Sequence, residues 1–264
     1  MLDSPPEPRV QFRFYAELND FLSPGSRGRT FTRALEGRNS VKHVVEALGV
    51  PHTEIDLILI NGRSVDFGFK PGAGDRVSVY PVFESIDIGA LTRVRSAPLR
   101  RTCFVLDGHL GKLAAYLRML GYDTRYRRDC HDAKLAAIAA SERRILLTMD
   151  RGLLKRRMVT HGYCVRETDR WRQVIEVLGR FDLFDSVAPF GRCMRCNARL
   201  QAVPKAEIVH RLLPKTRRYY EEFWMCRSCD QIFWQGSHCQ HMRGFLRELE
   251  RERVLRSRAS NGPD

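Results

Sequence analysis

Two short cysteine pairs restrict the folding of this chain more than any other feature. Cys193 and Cys196 lie in "RCMRCNARL", and Cys226 and Cys229 in "MCRSCDQIFW", with 29 residues between the pairs. Each Cys-x-x-Cys can form a tight knuckle offering two thiolates, and two knuckles complete a closed tetrahedral zinc site. A closed site leaves no position for substrate, so the Zn²⁺ expected here is structural. The flanking segments "RYYEEFWM" and "QIFWQG" are strand-like, which predicts a zinc ribbon over residues 189–242 with "VPKAEIVHRLLPK" as an insert. Basic and aromatic residues alternate there (Arg217, Arg218, Tyr219, Tyr220, Trp224). That composition suits stacking on unpaired bases, and it equally suits a small aromatic core. "GSHCQHM" adds His238, Cys239 and His241, outside the completed four-cysteine set.

Eight cysteines in a chain without an apolar signal segment point to metal ligation before disulfides. No run approaches the roughly 18 apolar residues of a membrane span. The start, "MLDSPPEPRV", lacks both the basic and the apolar regions of a secretory leader. A cytoplasmic protein with no membrane partner is expected. The formal charge of +14 is unevenly placed. Residues 1–83 hold ten Lys/Arg and ten Asp/Glu, and residues 84–264 hold 35 against 21. A folded half this basic suits a polyanion, because each neutralised phosphate releases condensed counterions.

The neutral part has its own pattern. Val10, Phe12 and Phe14 alternate with polar residues in "VQFRFYAEL", as a half-buried strand requires. "NSVKHVVEALG" places Val41, Val44, Val45 and Leu48 on one helical face, with Asn39 or Ser40 to cap its start and Gly49 its end. "IDLILINGRSV" predicts strand, Asn-Gly turn and strand, and "PGAGDRVSVYPVF" a turn and a last strand. This α+β order over residues 1–83 resembles the ubiquitin-like β-grasp fold of small sulfur-carrier proteins. Those carriers end in a free Gly-Gly, which is missing where "VYPVF" runs on into "ESIDIGALTR". An interaction or positioning module with a protein partner is the expectation.

Residues 84–101 are expected to be a linker, and an α/β domain is expected over 102–188. "TCFVL", "DTRYR", "ILLTM" and "GYCVRE" predict strands, and helices are predicted between and after them. Strands alternating with helices of this length imply a parallel sheet. The tail, 243–264, predicts a basic, exposed helix.

Two apolar strands end on an acid, "FVL" on Asp107 and "ILLTM" on Asp150. Ligands sit beyond the carboxyl ends of the strands in an open parallel sheet. Asp132 begins the helix "DAKLAAIAA", whose start would face the same edge. Converging carboxylates repel unless a hard divalent cation, Mg²⁺ or Mn²⁺, holds them. Such a metal activates water and stabilises charge on a phosphodiester. Each acid also fits a plainer role: Asp107 and Asp150 as turn residues, Asp132 as a helix cap. The equivalent placement of "LDG" and "TMDRG" favours the functional role. Asp129 and Asp169 are weaker candidates, and Asp169 suits a helix cap. Arg151, Lys155, Arg156 and Arg157, beside Asp150, are candidates to seat a phosphate backbone. Lys112, at the start of its helix, is another.

Five separated blocks, "FVLDGHLGKLAAYLRMLGYD", the helix from Asp132, "RILLTMDRGLL", "RCMRCNARL" and "QIFWQGSH", closely resemble the Mut-seven-C RNase domain family. That family is similar to PIN-domain nucleases with an appended zinc ribbon, and residues 9–83 resemble the ubiquitin-like domain found before it. The resemblance implies a metal-dependent endoribonuclease, with Asp107, Asp132 and Asp150 as the acids of its first strand, later helix and "T-x-D" block. This chain departs from the pattern at His109 and Met149, where members commonly have an apolar residue and an arginine. "GKLAAYLRMLG" also lacks the further acid that PIN enzymes usually carry in an early helix. The expected partner is RNA, structured or ribosomal RNA included. A non-catalytic RNA- or ribosome-binding adaptor is the alternative, since it needs the same charge and the same zinc.

Overall fold

The computed structural model describes residues 9–234 except 36, 38, 83–87, 95–98 and 100, together with 244, 247 and 251. His238, Cys239, His241 and nearly all of the expected tail helix lie outside the described residues. Among the described residues, no helix is long and apolar enough to cross a membrane. The chain forms two compact units: Met1–Arg101 with His131–Cys164, and Thr102–Cys130 with Val165–Asp264.

In the first unit, β1 (Arg9–Phe14) pairs antiparallel with β2 (Phe31–Ala34) and parallel with β5 (Arg76–Pro81). α1 (Val41–Ala47), β3 (Ile55–Ile60) and β4 (Arg63–Ser64) complete a sheet of order β2-β1-β5-β3-β4. A helix crossing a mixed sheet with two adjacent parallel strands is the β-grasp arrangement anticipated above. The alternation in β1 works as the sequence suggests: Val10, Phe12 and Phe14 are buried, and the Phe12, Phe14 and Phe31 rings stack. Fully burying each such side chain stabilises by roughly 1.5–3 kcal/mol. Ser40, not Asn39, caps α1, its hydroxyl accepting from His43 N. Asn61 and Gly62 both take positive φ, as the two-residue turn between β3 and β4 requires.

The same unit contains α3 (Asp132–Ser141), β8 (Ile145–Thr148), α4 (Arg151–Leu154) and β9 (Gly162–Cys164). β8 and β9 run parallel and are buried along their whole length. The β-grasp residues hold this stretch by polar contacts. The Glu54 carboxylate, 1% exposed, accepts from Cys164 N at 2.6 Å, and His52 Nε2 meets Val159 O at 2.9 Å. A buried backbone N–H without a partner costs about 1–3 kcal/mol, so Glu54 removes a penalty at β9.

In the second unit, β6 (Cys103–Leu106) and β7 (Asp123–Tyr126) pair in parallel around α2 (Gly111–Met119). α5 (Arg170–Arg180) buries Val174, Val177 and Leu178, and its Trp171 ring lies 4.3 Å from that of Tyr116 on α2. The ribbon is an antiparallel sheet of β10 (Gln201–Val203), β11 (Phe223–Met225) and β12 (Ile232–Trp234). Its insert holds α6 (Lys205–Ile208) and α7 (Pro214–Tyr219). Arg218 and Tyr219, expected in a strand, therefore end a helix: Pro214 at the first helical turn starts it, and the strand begins only at Phe223.

Candidate functional site

The acid at the end of β6 is set in a turn that only glycine permits. Asp107, 6% exposed, accepts from His109 N at 2.9 Å and opens a short 3₁₀ turn into α2. A Cβ on Gly108 would lie 2.5 Å from Arg128 O, and one on Gly111 would lie 2.6 Å from Tyr126 Oη. The end of β7 is thus pressed against this turn, and Tyr126 Oη donates to Gly108 O at 3.0 Å. Beside it opens a cleft of about 810 Å³, lined by His109, Lys112, Tyr126, Arg128, Thr168, Asp169, Arg170 and Gln173. Asp169 is the cap of α5, as suspected. The N–H of Arg172 holds its carboxyl below the usual carboxylate range, against an opposing effect of desolvation and with the help of the Trp171 N–H.

The acid at the end of β8 sits in a similar turn. Asp150 accepts from Gly152 N at 2.7 Å, and its own N–H donates to Thr148 Oγ1 at 2.9 Å. The carboxylate is exposed. Asp132 is the first residue of α3, with His131 in the cap position, and its carboxylate lies 3.7 Å from the guanidinium of Arg156. Both partners are about half exposed, so this pair is worth well under about 1 kcal/mol. Arg157 is exposed.

Two of the expected phosphate-binding cations have a different partner. Arg151 stacks on the Phe21 ring at 4.8 Å and donates to Asp20 O and Phe21 O at 3.3 and 3.4 Å. Lys155 Nζ donates to Glu46 O at 2.7 Å. Both therefore attach α4 to the β-grasp part of their unit. The carbonyls they meet lie more than 100 residues away in sequence, so the local basic run gave no sign of it.

The four cysteines meet as expected. Their sulfurs all lie within 4.8 Å of one another, with Cys193 to Cys229 at 3.5 Å and Cys196 to Cys226 at 3.3 Å. Tetrahedral Zn–S bonds of about 2.3 Å demand sulfur separations of this order, so the set fits zinc. The knuckles share one geometry: Asn197 N donates to Cys193 O and Asp230 N to Cys226 O, and both donors have positive φ. Burial pushes the Cys193 thiol up to about 12. Burial also acts on Cys196, but the Ala198 N–H and the other thiols bring it down to about 7. Thiols so closely packed gain most when a cation replaces their protons.

The first knuckle is tied to the α/β part of its unit. Asn197 bonds Thr124 N and Asp123 on β7, and the buried Arg118 of α2 donates to Met194 O, Arg195 O and Thr124 O. Trp224 stacks on Phe190 at 4.6 Å, and Tyr220 packs on the ribbon core, whereas Tyr219 is 67% exposed. Of the aromatics considered for base stacking, Trp224 and Tyr220 serve packing.

Arg128 and Arg170 escaped the sequence reading. They lie far from Lys112 in sequence, and the available signal was only positional: one cation just past a strand end, another at a helix start.

Family models match two segments, the Mut7-C RNAse domain over residues 102–246 and the Mut7-C ubiquitin domain over residues 7–87. No curated protein matches. Two crystal structures of small archaeal modifier protein 1 from Haloferax volcanii are similar, at 22% identity and a TM-score of 0.24. They cover 29% and 30% of this chain and 99% of their own. The ribonuclease model spans more than half of the sequence and ends beyond the second cysteine knuckle, and the chain belongs to the Mut7-C RNAse domain family.

Proposed function

We propose that this protein is a divalent-metal-dependent endoribonuclease. The observation that carries the reading is the match of residues 102–246 to a ribonuclease domain. Asp107, Asp132 and Asp150 are the residues proposed to hold Mg²⁺ or Mn²⁺. The chemistry of the donors fits: Asp107 and Asp150 each have one oxygen fixed by a backbone N–H, the way ligating carboxylates are oriented from behind. A hard cation held there would supply Lewis-acid activation of water and charge stabilisation on the phosphodiester.

The chain's own residues do the rest. Lys112, Arg156 and Arg157, all exposed, would hold the RNA strand. Arg151 and Lys155 would act indirectly, by keeping α4, and with it Asp150, in place. The ribbon, with Tyr219 and Arg218 on its surface, would extend the contact with RNA. The β-grasp segment would offer its remaining surface to a protein partner.

The test is a cleavage time course on end-labelled single-stranded and structured RNA by the zinc-loaded protein, with and without Mg²⁺ or Mn²⁺. Metal-dependent cleavage is expected, reduced at least about 100-fold in Asp107→Asn and Asp150→Asn, because several kcal/mol of transition-state stabilisation go with the metal. Unchanged cleavage in both variants would overturn the metal-site assignment. Salt-sensitive binding without cleavage, the same in all three proteins, would favour the adaptor.

A further inference from the structure

The cleft beside Asp107 collects cations from three separate stretches of chain. Lys112 comes from the start of α2, Arg128 from just past β7, and Arg170 from the start of α5. All three side chains are exposed. Lys112 and Arg128 make no ion pair or side-chain hydrogen bond with another described residue, and the Arg170 guanidinium lies 5.8 Å from the Trp171 ring centre. Against these three cations the lining holds a single carboxylate, Asp169, whose Oδ1 caps α5. Tyr126 and Gln173 are also occupied, by Gly108 O and Glu167 O. What the cleft presents is therefore excess positive charge, fork-shaped on two of its three donors. It has room of the size that ordinarily takes a small ligand, roughly 300–1,000 Å³.

We propose that this cleft is a phosphate subsite for RNA, in which Lys112, Arg128 and Arg170 hold a backbone phosphate next to the Asp107 end of the cleavage site. The proposal rests on the ribonuclease reading and deepens it. It adds two cations that reading does not use, and it places the strand against α2 and α5. A phosphate suits the site, because the lining offers cationic donors from three separate segments, two of them guanidinium forks.

The experiment is fluorescence anisotropy of a labelled single-stranded RNA oligonucleotide with the full-length zinc-loaded protein, in buffer free of other divalent ions, across a salt series. Lys112→Ala, Arg128→Ala and Arg170→Ala should each weaken binding several-fold and lower the salt slope by about one. Arg33→Ala, an exposed cation of β2, should change neither. Equal melting temperatures exclude unfolding as the cause. Wild-type affinity and slope in the three cleft variants would overturn the proposal, as would the absence of RNA binding by the wild type. Oligonucleotides with a 5′-phosphate and a 5′-hydroxyl separate the two sources of phosphate. Equal losses on both assign a backbone phosphate, and a loss confined to the phosphorylated strand overturns that placement in favour of a terminal one. No turnover is needed, so altered slopes in a protein that cleaves nothing would keep the cleft and remove the nuclease.

Discussion

"DGHLGK" and "DRGLLK" share their Asp, Leu and Lys at the same spacing, and the fold uses them in opposite ways. Each starts with an aspartate closing a parallel strand, each aspartate accepts from the N–H two residues on, and each stretch ends on a lysine. At the first, Lys112 faces an open cleft with Arg128 and Arg170. At the second, Lys155 and its neighbour Arg151 are consumed by carbonyls of the β-grasp segment. Similar local chemistry thus gives one corner suited to an outside anion and one that anchors a domain. What separates them is which backbone oxygens the rest of the chain delivers. A lysine that finds a carbonyl at 2.7 Å is a structural residue. The same lysine facing solvent and other cations stays available to an outside anion.

Zinc removal should separate the corners most. Among the described residues the core of the ribbon has five buried apolar residues, Val203, Ile208, Phe223, Met225 and Ile232, a cluster too small to stand without its metal. Chelation should raise amide exchange across the ribbon and on into β7 and the end of α2, through Asn197 and Arg118. β8 and β9 should keep their protection. Equal loss of protection in β8 and β9 would show that the corners are not independent.

The glycines give the next contrast. Gly108→Ala drives a Cβ into Arg128 O, a backbone atom that cannot swing aside, and should cost about 1–3 kcal/mol in thermal or denaturant unfolding. Gly152→Ala meets only the Asp150 side chain, at 3.1 Å, and should be near neutral for stability. Comparable losses in both would mean that the two turns are equally constrained.

The smallest effect is the most direct check of the comparison. Lys155→Met should lower stability by about 1 kcal/mol through its lost charged hydrogen bond and leave the salt slope of RNA binding alone. Lys112→Met should do the reverse. Melting curves and anisotropy on the two variants read both quantities, and a change of salt slope in Lys155→Met would return that lysine to the RNA surface.

Much of this was legible in the chain itself. The β1 alternation, the α1 valines and the cysteine spacing each depend on residues within one element or one knuckle, where period and spacing are sufficient. So did the placement of Asp107 and Asp150 at the ends of buried apolar runs. The strand expected through Arg218 and Tyr219 failed because Pro214 starts a helix that the aromatic composition hides. The partners of Arg151 and Lys155, and the meeting of Lys112 with Arg128 and Arg170, had no local trace at all.

The sequence by itself determined most of the elements, the two thiol pairs and the acids that close the strands, because these follow from side-chain period, turn chemistry and ligand spacing over a few residues. Only the tertiary structure decided which cations stay open and which are spent. Attraction between a cation and a carbonyl or a phosphate acts over a few ångströms of space, and proximity in space is set by how distant segments pack.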